Sequence, residues 1–157
     1  MRFLKPDQYQ KSCSEKYTKY FSLIRGAMPE AKIDHIGASS IIGAYSKGDL
    51  DIYVEVDSNV FEESIDNLAN IGFLEKKDTL RTPELCMLEP VLDEDVAIQL
   101  VSAGSKFQFF ISFRDALNNE PELVREYNTM KMSFEGKDHA SYRDAKSLFI
   151  ERVLSSL

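Results

Sequence analysis

The stretch from His35 to Val56 constrains the fold of this chain more than any other feature of its sequence. A short hydrophobic strand ends at Gly37, and a turn of small residues follows it. The next strand opens with Asp49 and Asp51, whose side chains share one face because strand side chains alternate. Two like charges side by side repel, which favours a bound divalent cation or a raised pKa. Together these features predict a site for a metal ion and a nucleotide.

The composition is that of an ordinary globular protein. The 157 residues are 43% hydrophobic and 29% charged, and we expect them to form a single domain over residues 1–157. A net charge of -7 argues against broad binding to nucleic acids. The sequence has no signal-peptide core and no apolar run of about 20 residues, which a membrane span requires. We therefore expect a cytoplasmic protein that does not bind membranes.

Helical and strand periodicities divide the chain into three parts. Apolar residues recur every three or four positions after Pro6, which predicts a long amphipathic helix ending near Met28. A second helix is expected from Val60 to Ile71. Short strands are predicted at residues 73–76, 85–89 and 96–101, and the chain beyond Gly104 is predicted to be helical. This order of elements predicts an α+β or α/β domain with a small mixed sheet.

Several segments resemble known families. Gly37-Ala38-Ser39 and the spacing to Asp49-Leu50-Asp51 are similar to the signature of the nucleotidyltransferase superfamily. Residues 35–43 resemble, more closely, the H-I-G-S-T-x-x-P-G segment of GrpB-family proteins, and residues 113–117, 121–127 and 142–150 resemble that family's C-terminal segments. The resemblance implies an α+β, nucleotidyltransferase-like fold, in which helices flank a small mixed sheet and the C-terminal region is helical. The site would lie at the strand ends.

The superfamily resemblance also implies roles for particular residues. In that fold a Gly-Ser turn holds the nucleotide phosphates, and a strand carries the metal-binding acids. Asp49 and Asp51 would accordingly be catalytic and would bind Mg²⁺ or Mn²⁺. The nucleotide-binding residues would be Gly37, Ser39, Ser40 and Lys47. For Lys47, a surface lysine paired with Asp49 is the alternative interpretation.

The sequence departs from the superfamily pattern at functionally important positions. Ala38 replaces the serine that follows the glycine, so Ser39 would have to supply the hydroxyl. Active members commonly carry a third acid on a later strand. Here the best match is the strand of residues 96–101, and its face toward the site would hold Asp95, Ala97 and Gln99. Gln99 is a weak Mg²⁺ ligand and cannot act as a general base. Asp95 could serve only if it lies deep enough at the strand start.

Other polar residues have a structural interpretation beside a functional one. His35 could carry protons in the pocket, but a hydrogen-bonded structural histidine is the favoured interpretation. Arg114 could contact phosphate, with a surface ion pair as the default. Arg143 and Lys146 belong to a helix with an apolar stripe, and we expect their charged ends to be solvated.

Two functional hypotheses follow. The first is a metal-dependent nucleotidyltransferase, which moves a nucleotidyl group from a nucleoside triphosphate to a small acceptor. The second is a catalytically inactive relative that binds a nucleotide, a small ligand or a protein partner.

Overall fold

A computed structural model describes residues 1–157. Five α-helices and five strands account for most of the chain. In order they are α1 Pro6–Ala27, β1 Lys32–Ile36, β2 Leu50–Val56, α2 Phe61–Asn70, β3 Phe73–Glu75, β4 Leu85–Pro90, β5 Val96–Ser102, α3 Phe109–Asn119, α4 Pro121–Ser133 and α5 His139–Ser155. The predicted helices and strands are thereby confirmed, with ends that differ by a few residues.

The five strands form one mixed sheet in the order β1-β2-β5-β4-β3. Strands β2 and β5 are parallel, whereas every other pair is antiparallel. The strand with the acidic pair is therefore in the interior of the sheet, with neighbours on both sides. The predicted small mixed sheet flanked by helices, followed by a helical C-terminal region, is confirmed.

Hydrophobic residues of β2 and β5 cover both faces of the sheet. On one face, α1 and α2 pack over the strands and bury residues such as Ile24, Ile52 and Leu68. On the other face, Tyr53 and Val101 pack with the aromatic residues at the start of α3. A strand covered on both faces is hydrophobic at nearly every position, which explains the run of buried residues in β5.

Helices α3, α4 and α5 enclose a separate hydrophobic cluster. Its buried residues include Phe113, Tyr127 and Phe149, and the rings of Tyr127 and Phe149 are stacked with centroids 5.1 Å apart. Ile41 and Ala44, from the loop between β1 and β2, complete this cluster. The C-terminal helices therefore pack directly on the loop that leads to the acidic pair. No helix of the protein has the length and hydrophobicity needed to cross a membrane.

Side chains from three helices hold the backbone of this loop, residues 40–46. Asn118 of α3 bonds to Ser40 and Ile42, and Asn128 of α4 accepts from the Tyr45 N–H and donates to the Gly43 carbonyl. From α1, the Tyr9 hydroxyl and the Gln10 amide donate to the carbonyls of Ala44 and Ile41. Between Ser40, at the end of a short 3-10 turn, and Ser46, which forms a β-bridge with Leu4, the loop has no regular secondary structure. These side chains satisfy backbone groups that a sheet would otherwise pair.

Replacing Asn128 by alanine should therefore destabilise the protein. The substitution leaves the Tyr45 N–H and the Gly43 carbonyl without their partner, which we expect to lower the free energy of unfolding by about 1–3 kcal/mol. Urea unfolding measures this loss. Asn119→Ala removes an exposed asparagine that forms no side-chain hydrogen bond and should change stability by less than about 0.5 kcal/mol. Equal effects of the two substitutions would contradict the role assigned to Asn128.

Candidate functional site

The acidic pair lies at the start of β2. Asp51 is half-buried in the strand, and Asp49 is half-buried one residue before the strand begins. Because β2 is an interior strand, Asp51 has a neighbour on each side: Ile36 in β1 and Ala97 in β5. The carboxylate of Asp51 accepts no hydrogen bond from the protein and forms no ion pair. A half-buried carboxylate without a partner is a group that a ligand can satisfy.

The glycine turn lies in direct contact with Asp51. Gly37 has a φ of +75° and precedes a single turn of 3-10 helix, Ala38–Ser40. A Cβ atom on Gly37 would lie only 2.5 Å from Oδ2 of Asp51, closer than any van der Waals contact allows. Both the backbone angle and the close approach therefore require glycine at this position. The structure thus brings the turn and one of the two acids together.

Burial and charge both act on Asp51. The pKa of its carboxyl is raised to about 7, chiefly by burial and then by the negative charge of Asp49, with a smaller effect from Asp95. The positive charges of Lys146 and Lys47 act in the opposite direction. Lys47 is exposed and does not form the ion pair with Asp49 that was considered from the sequence. The region around Asp51 therefore combines carboxylates with two lysines that are not paired to them.

Lys146 lies closer to the acidic pair than the sequence indicated. The residue is half-buried on α5, and its charge is the largest favourable influence on ionised Asp51. The apolar stripe of α5 predicted that the helix packs, but it did not predict that Lys146 would lie near Asp51.

Sequence reasoning missed a second lysine, Lys131 of α4. This side chain is only 1% exposed; its Nζ donates to the Tyr45 carbonyl and lies 3.7 Å from the centroid of the Tyr127 ring. Burial, with a further contribution from the charge of Lys146, holds its pKa well below the usual range of a lysine. Val124, Tyr127 and Lys131 are all buried on α4, so their spacing of three and four residues was the signal that could have found it.

The serine hydroxyls of the turn bind to the protein itself. The Ser39 side chain is buried, and its Oγ lies 2.8 Å from Nε2 of His35. The Ser40 Oγ donates to the Gly37 carbonyl at 2.6 Å. The backbone N–H groups at the start of the 3-10 turn have no partner within it. These groups, more than the hydroxyls, are therefore available to donate hydrogen bonds to a phosphate. His35 has the hydrogen-bonded environment that the structural interpretation favoured.

The structure shows where the two residues considered as a third site residue lie. Asp95 has an exposed side chain at the start of β5, and its carbonyl accepts from the Leu50 N–H at 3.0 Å. Gln99 is buried and lies beside Tyr53, two residues further into the sheet than Asp51. The neighbour of Asp51 on β5 is Ala97, which has no polar group. No cluster of three or more His, Cys, Asp or Glu side chains has the geometry of a metal site.

The chemistry of the donor set fits Mg²⁺ or Mn²⁺ bound together with a phosphate ligand. Mg²⁺ commonly takes one or two carboxylates from the protein and completes its octahedral shell with waters and substrate phosphates. Asp49 and Asp51 supply that number of carboxylates, and the repulsion between them would be relieved by a cation. The neighbouring lysines and the backbone of the turn are suited to the negative charge of the phosphates.

A groove of about 370 Å³ lies away from these residues, at the other end of β2. Met28, Val56 and Val60 contribute apolar surface to it, and Glu55 and Glu63 contribute carboxylates. None of the predicted site residues lines this groove. The acidic pair is therefore a separate feature of the molecule.

Comparisons with known proteins agree on one family. A family model described as GrpB protein matches residues 6–156. A UPF0157 protein of Vibrio cholerae is 54% identical over 154 residues, which cover 98% of this chain and 82% of the relative. The crystal structure of the conserved protein GrpB from Enterococcus faecalis superposes with a TM-score of 0.80 at 16% identity and covers 99% of this chain and 96% of that one. The fold is therefore shared along the whole chain.

A more distant likeness is to the poly(U) polymerase Cid1 with MgGTP bound. It has a TM-score of 0.48 at 18% identity and covers 77% of this chain but 45% of the polymerase. This likeness is too weak to say anything about the activity of this chain.

The raised pKa of Asp51 predicts a dependence of stability on pH. Its carboxyl titrates near pH 7 in the folded protein and near 3.8 in an ordinary environment. Between these values the folded state keeps a proton that the unfolded state has lost, so the wild-type protein should lose stability as the pH rises from about 4 to about 7. Asp51→Asn does not titrate and should be about 2–4 kcal/mol more stable than wild type at about pH 8, with no advantage at about pH 4.

Urea unfolding in the presence of a chelator, at both pH values, measures this difference. Asp66→Asn, a substitution of an exposed aspartate in α2, serves as the control and should show no such dependence. A stability difference between Asp51→Asn and wild type that stays constant with pH would contradict the titration assigned to Asp51.

The contact between Gly37 and Asp51 predicts a second difference. Gly37→Ala should lower stability more than Gly104→Ala does. Both glycines have a positive φ, of +75° and +80°, but a Cβ on Gly104 would meet nothing within 4 Å. Backbone strain of about 1 kcal/mol is common to both substitutions, whereas the clash with Asp51 should add about 1–3 kcal/mol for Gly37 alone. Equal losses in urea unfolding would show that the close approach to Asp51 is unimportant.

Proposed function

Because this chain belongs to the GrpB family, we propose that it is a metal-dependent nucleotidyltransferase that acts on a nucleoside triphosphate and a small acceptor. The observation that carries the proposal is the contact between Gly37 and Asp51, which joins a turn suited to phosphate to a carboxylate that has no protein partner. Neither feature alone indicates this chemistry, since glycine turns and unpaired acids both occur for structural reasons.

Different residues around the acidic pair would bind the metal ion and the phosphates. Asp49 and Asp51 would hold Mg²⁺, which would supply positive charge to offset the triphosphate and the negative charge that develops as an acceptor hydroxyl attacks the α-phosphorus. The backbone of Gly37, Ala38 and Ser39 would orient the outer phosphates. In the reaction a bond would form between the acceptor oxygen and the α-phosphorus, the bond from the α-phosphorus to the bridging oxygen of the β-phosphate would break, and pyrophosphate would leave. The proton of the acceptor hydroxyl would pass to solvent.

Two lysines add positive charge near the acidic pair. Lys47 is exposed beside the acids, and Lys146 reaches them from α5. Their charges would offset those of the phosphates, as arginine and lysine side chains commonly do in phosphoryl transfer. Because α5 contributes one of these lysines, we expect the C-terminal helices to form one wall of the nucleotide site.

A second function is favoured by a specific observation. The residue beside Asp51 on the neighbouring strand is Ala97, so this strand position offers no third carboxylate and no general base. A relative that binds a nucleotide or another small ligand without transferring it is therefore the alternative. In that case the same residues bind the ligand, but no bond to phosphorus is made or broken.

Binding of ATP with and without Mg²⁺ tests the proposal. Wild-type protein should bind ATP in the presence of Mg²⁺ and lose most of the affinity when a chelator is added. The double variant Asp49→Asn/Asp51→Asn should lose about 100-fold in affinity, because both metal ligands lose their charge. The control Asp57→Asn/Asp66→Asn makes the same change in charge at two exposed positions and should bind like wild type.

Calorimetric titration gives these affinities, and release of pyrophosphate with a panel of small hydroxyl and amine acceptors tests the transfer step. Binding that does not need the metal, or that survives the double substitution, would rule out the metal-dependent enzyme. Metal-dependent binding with no pyrophosphate from any acceptor would favour the binding protein.

A further inference from the structure

His35 lies beneath the glycine turn in an environment that fixes its ring. The imidazole is stacked on the ring of Tyr17 from α1, with centroids 5.0 Å apart and an interplanar angle of 16°. Its backbone carbonyl accepts a hydrogen bond from Arg114 at 3.0 Å. The ring and the backbone of His35 are therefore held independently, one by α1 and the other by α3.

The ring nitrogen Nε2 of His35 is 2.8 Å from the Ser39 Oγ. Ser39 is 6% exposed and lies in the 3-10 turn that follows Gly37, so this hydrogen bond joins the end of β1 to the turn. The Ser40 N–H and the Ser40 hydroxyl both bond back to Gly37, which stays within the turn itself, and the Ser40 carbonyl accepts from the Asn118 amide of α3 at 3.2 Å. Ser39 is thus the side chain of the turn that reaches down to the sheet and α1.

We propose that His35 is a positioning residue: through its hydrogen bond to Ser39 it holds the backbone of residues 37–40 in the shape that binds the phosphates. This inference rests on the proposed function, because it assumes that the turn receives a phosphate ligand. It assigns the Ser39 hydroxyl to the support of the turn and leaves the contact with phosphate to the backbone N–H groups above it.

The chemistry of an imidazole suits this role. Burial, together with the positive charge of Arg114, lowers the pKa of His35 to about 4, so the ring is neutral at physiological pH. A neutral imidazole has one donor and one acceptor nitrogen, and either can pair with a serine hydroxyl. A lysine or arginine at the same place would bring a full charge into a half-buried position next to Arg114, at a considerable cost in desolvation and repulsion.

Four variants test the proposal. His35→Phe keeps an aromatic ring to stack on Tyr17 but removes the hydrogen bond, and Ser39→Ala removes the bond from the other side. The double variant His35→Phe/Ser39→Ala completes a cycle. His35→Gln is the conservative variant, because the end of a glutamine side chain can reach as far as Nε2 and can donate or accept. His139→Phe, at the other histidine of the chain, is exposed and serves as the matched control.

The probes are inorganic tripolyphosphate with Mg²⁺, ATP with Mg²⁺, and Mn²⁺ alone, each titrated calorimetrically. We expect His35→Phe and Ser39→Ala each to weaken both phosphate ligands about tenfold. The double variant should be no weaker than either single variant, because one bond is lost in each case. His35→Gln should recover affinity to within about threefold of wild type. Binding of Mn²⁺ alone should change little, since the acidic pair is untouched.

The outcomes separate the two proposals. If the wild-type protein binds tripolyphosphate and both His35→Phe and Ser39→Ala bind it with the same affinity, the role of His35 is overturned and the proposed function stays in place. Additive losses in the double variant, or an equal loss of Mn²⁺ binding, would also overturn it, because they indicate a general structural effect. A wild-type protein that binds neither phosphate ligand would overturn the proposed function and this inference together. If His35→Phe does not fold, Ser39→Ala gives the same comparison.

Discussion

The arrangement around the acidic pair depends on one close contact, in which the Asp51 carboxylate lies where a side chain of residue 37 would otherwise be. The hydrogen on the glycine Cα leaves just enough room for the carboxylate, and the positive φ of Gly37 turns the chain away immediately afterwards. The acid is thereby held against the protein and partly withdrawn from water, which raises its pKa. The contact that joins the glycine turn to Asp51 also makes the pKa of Asp51 sensitive to the charges around it.

The loop between the turn and the acids is held in place by side chains from outside the sheet. Backbone groups of residues 40–46 bond to side chains from α1, α3 and α4, and Ile41 and Ala44 fill the hydrophobic cluster of the C-terminal helices. Asn128 and Lys131, one turn apart on α4, both bond to Tyr45. The helices therefore do more than shield the sheet, since they determine the path of a segment that has no regular structure of its own.

Local patterns in the sequence were sufficient for the secondary structure and pointed to the residues of the candidate site. Helical periodicity located the helices, and strand alternation predicted that Asp49 and Asp51 share one face, although β2 begins at Leu50, after Asp49. Long-range features could not be predicted. Strand alternation placed Asp95, Ala97 and Gln99 on the face toward the site, but which of them lies beside Asp51 follows from the parallel register of β2 and β5. That Lys146 acts on Asp51 follows from the packing of α5. The direction of the Ser39 hydroxyl depends on His35, which sequence reasoning treated separately.

The attachment of one loop to helices from both ends of the chain has a consequence for biosynthesis. As the polypeptide emerges from the ribosome, the sheet strands and the two acids appear before α4, so residues 40–46 lack Asn128 and Lys131 until α4 has been synthesised. Before that point the nascent chain holds the residues of its first hydrophobic core but not the side chains that fix this loop. The loop that leads to Asp49 and Asp51 is therefore expected to acquire its final shape after the sheet does.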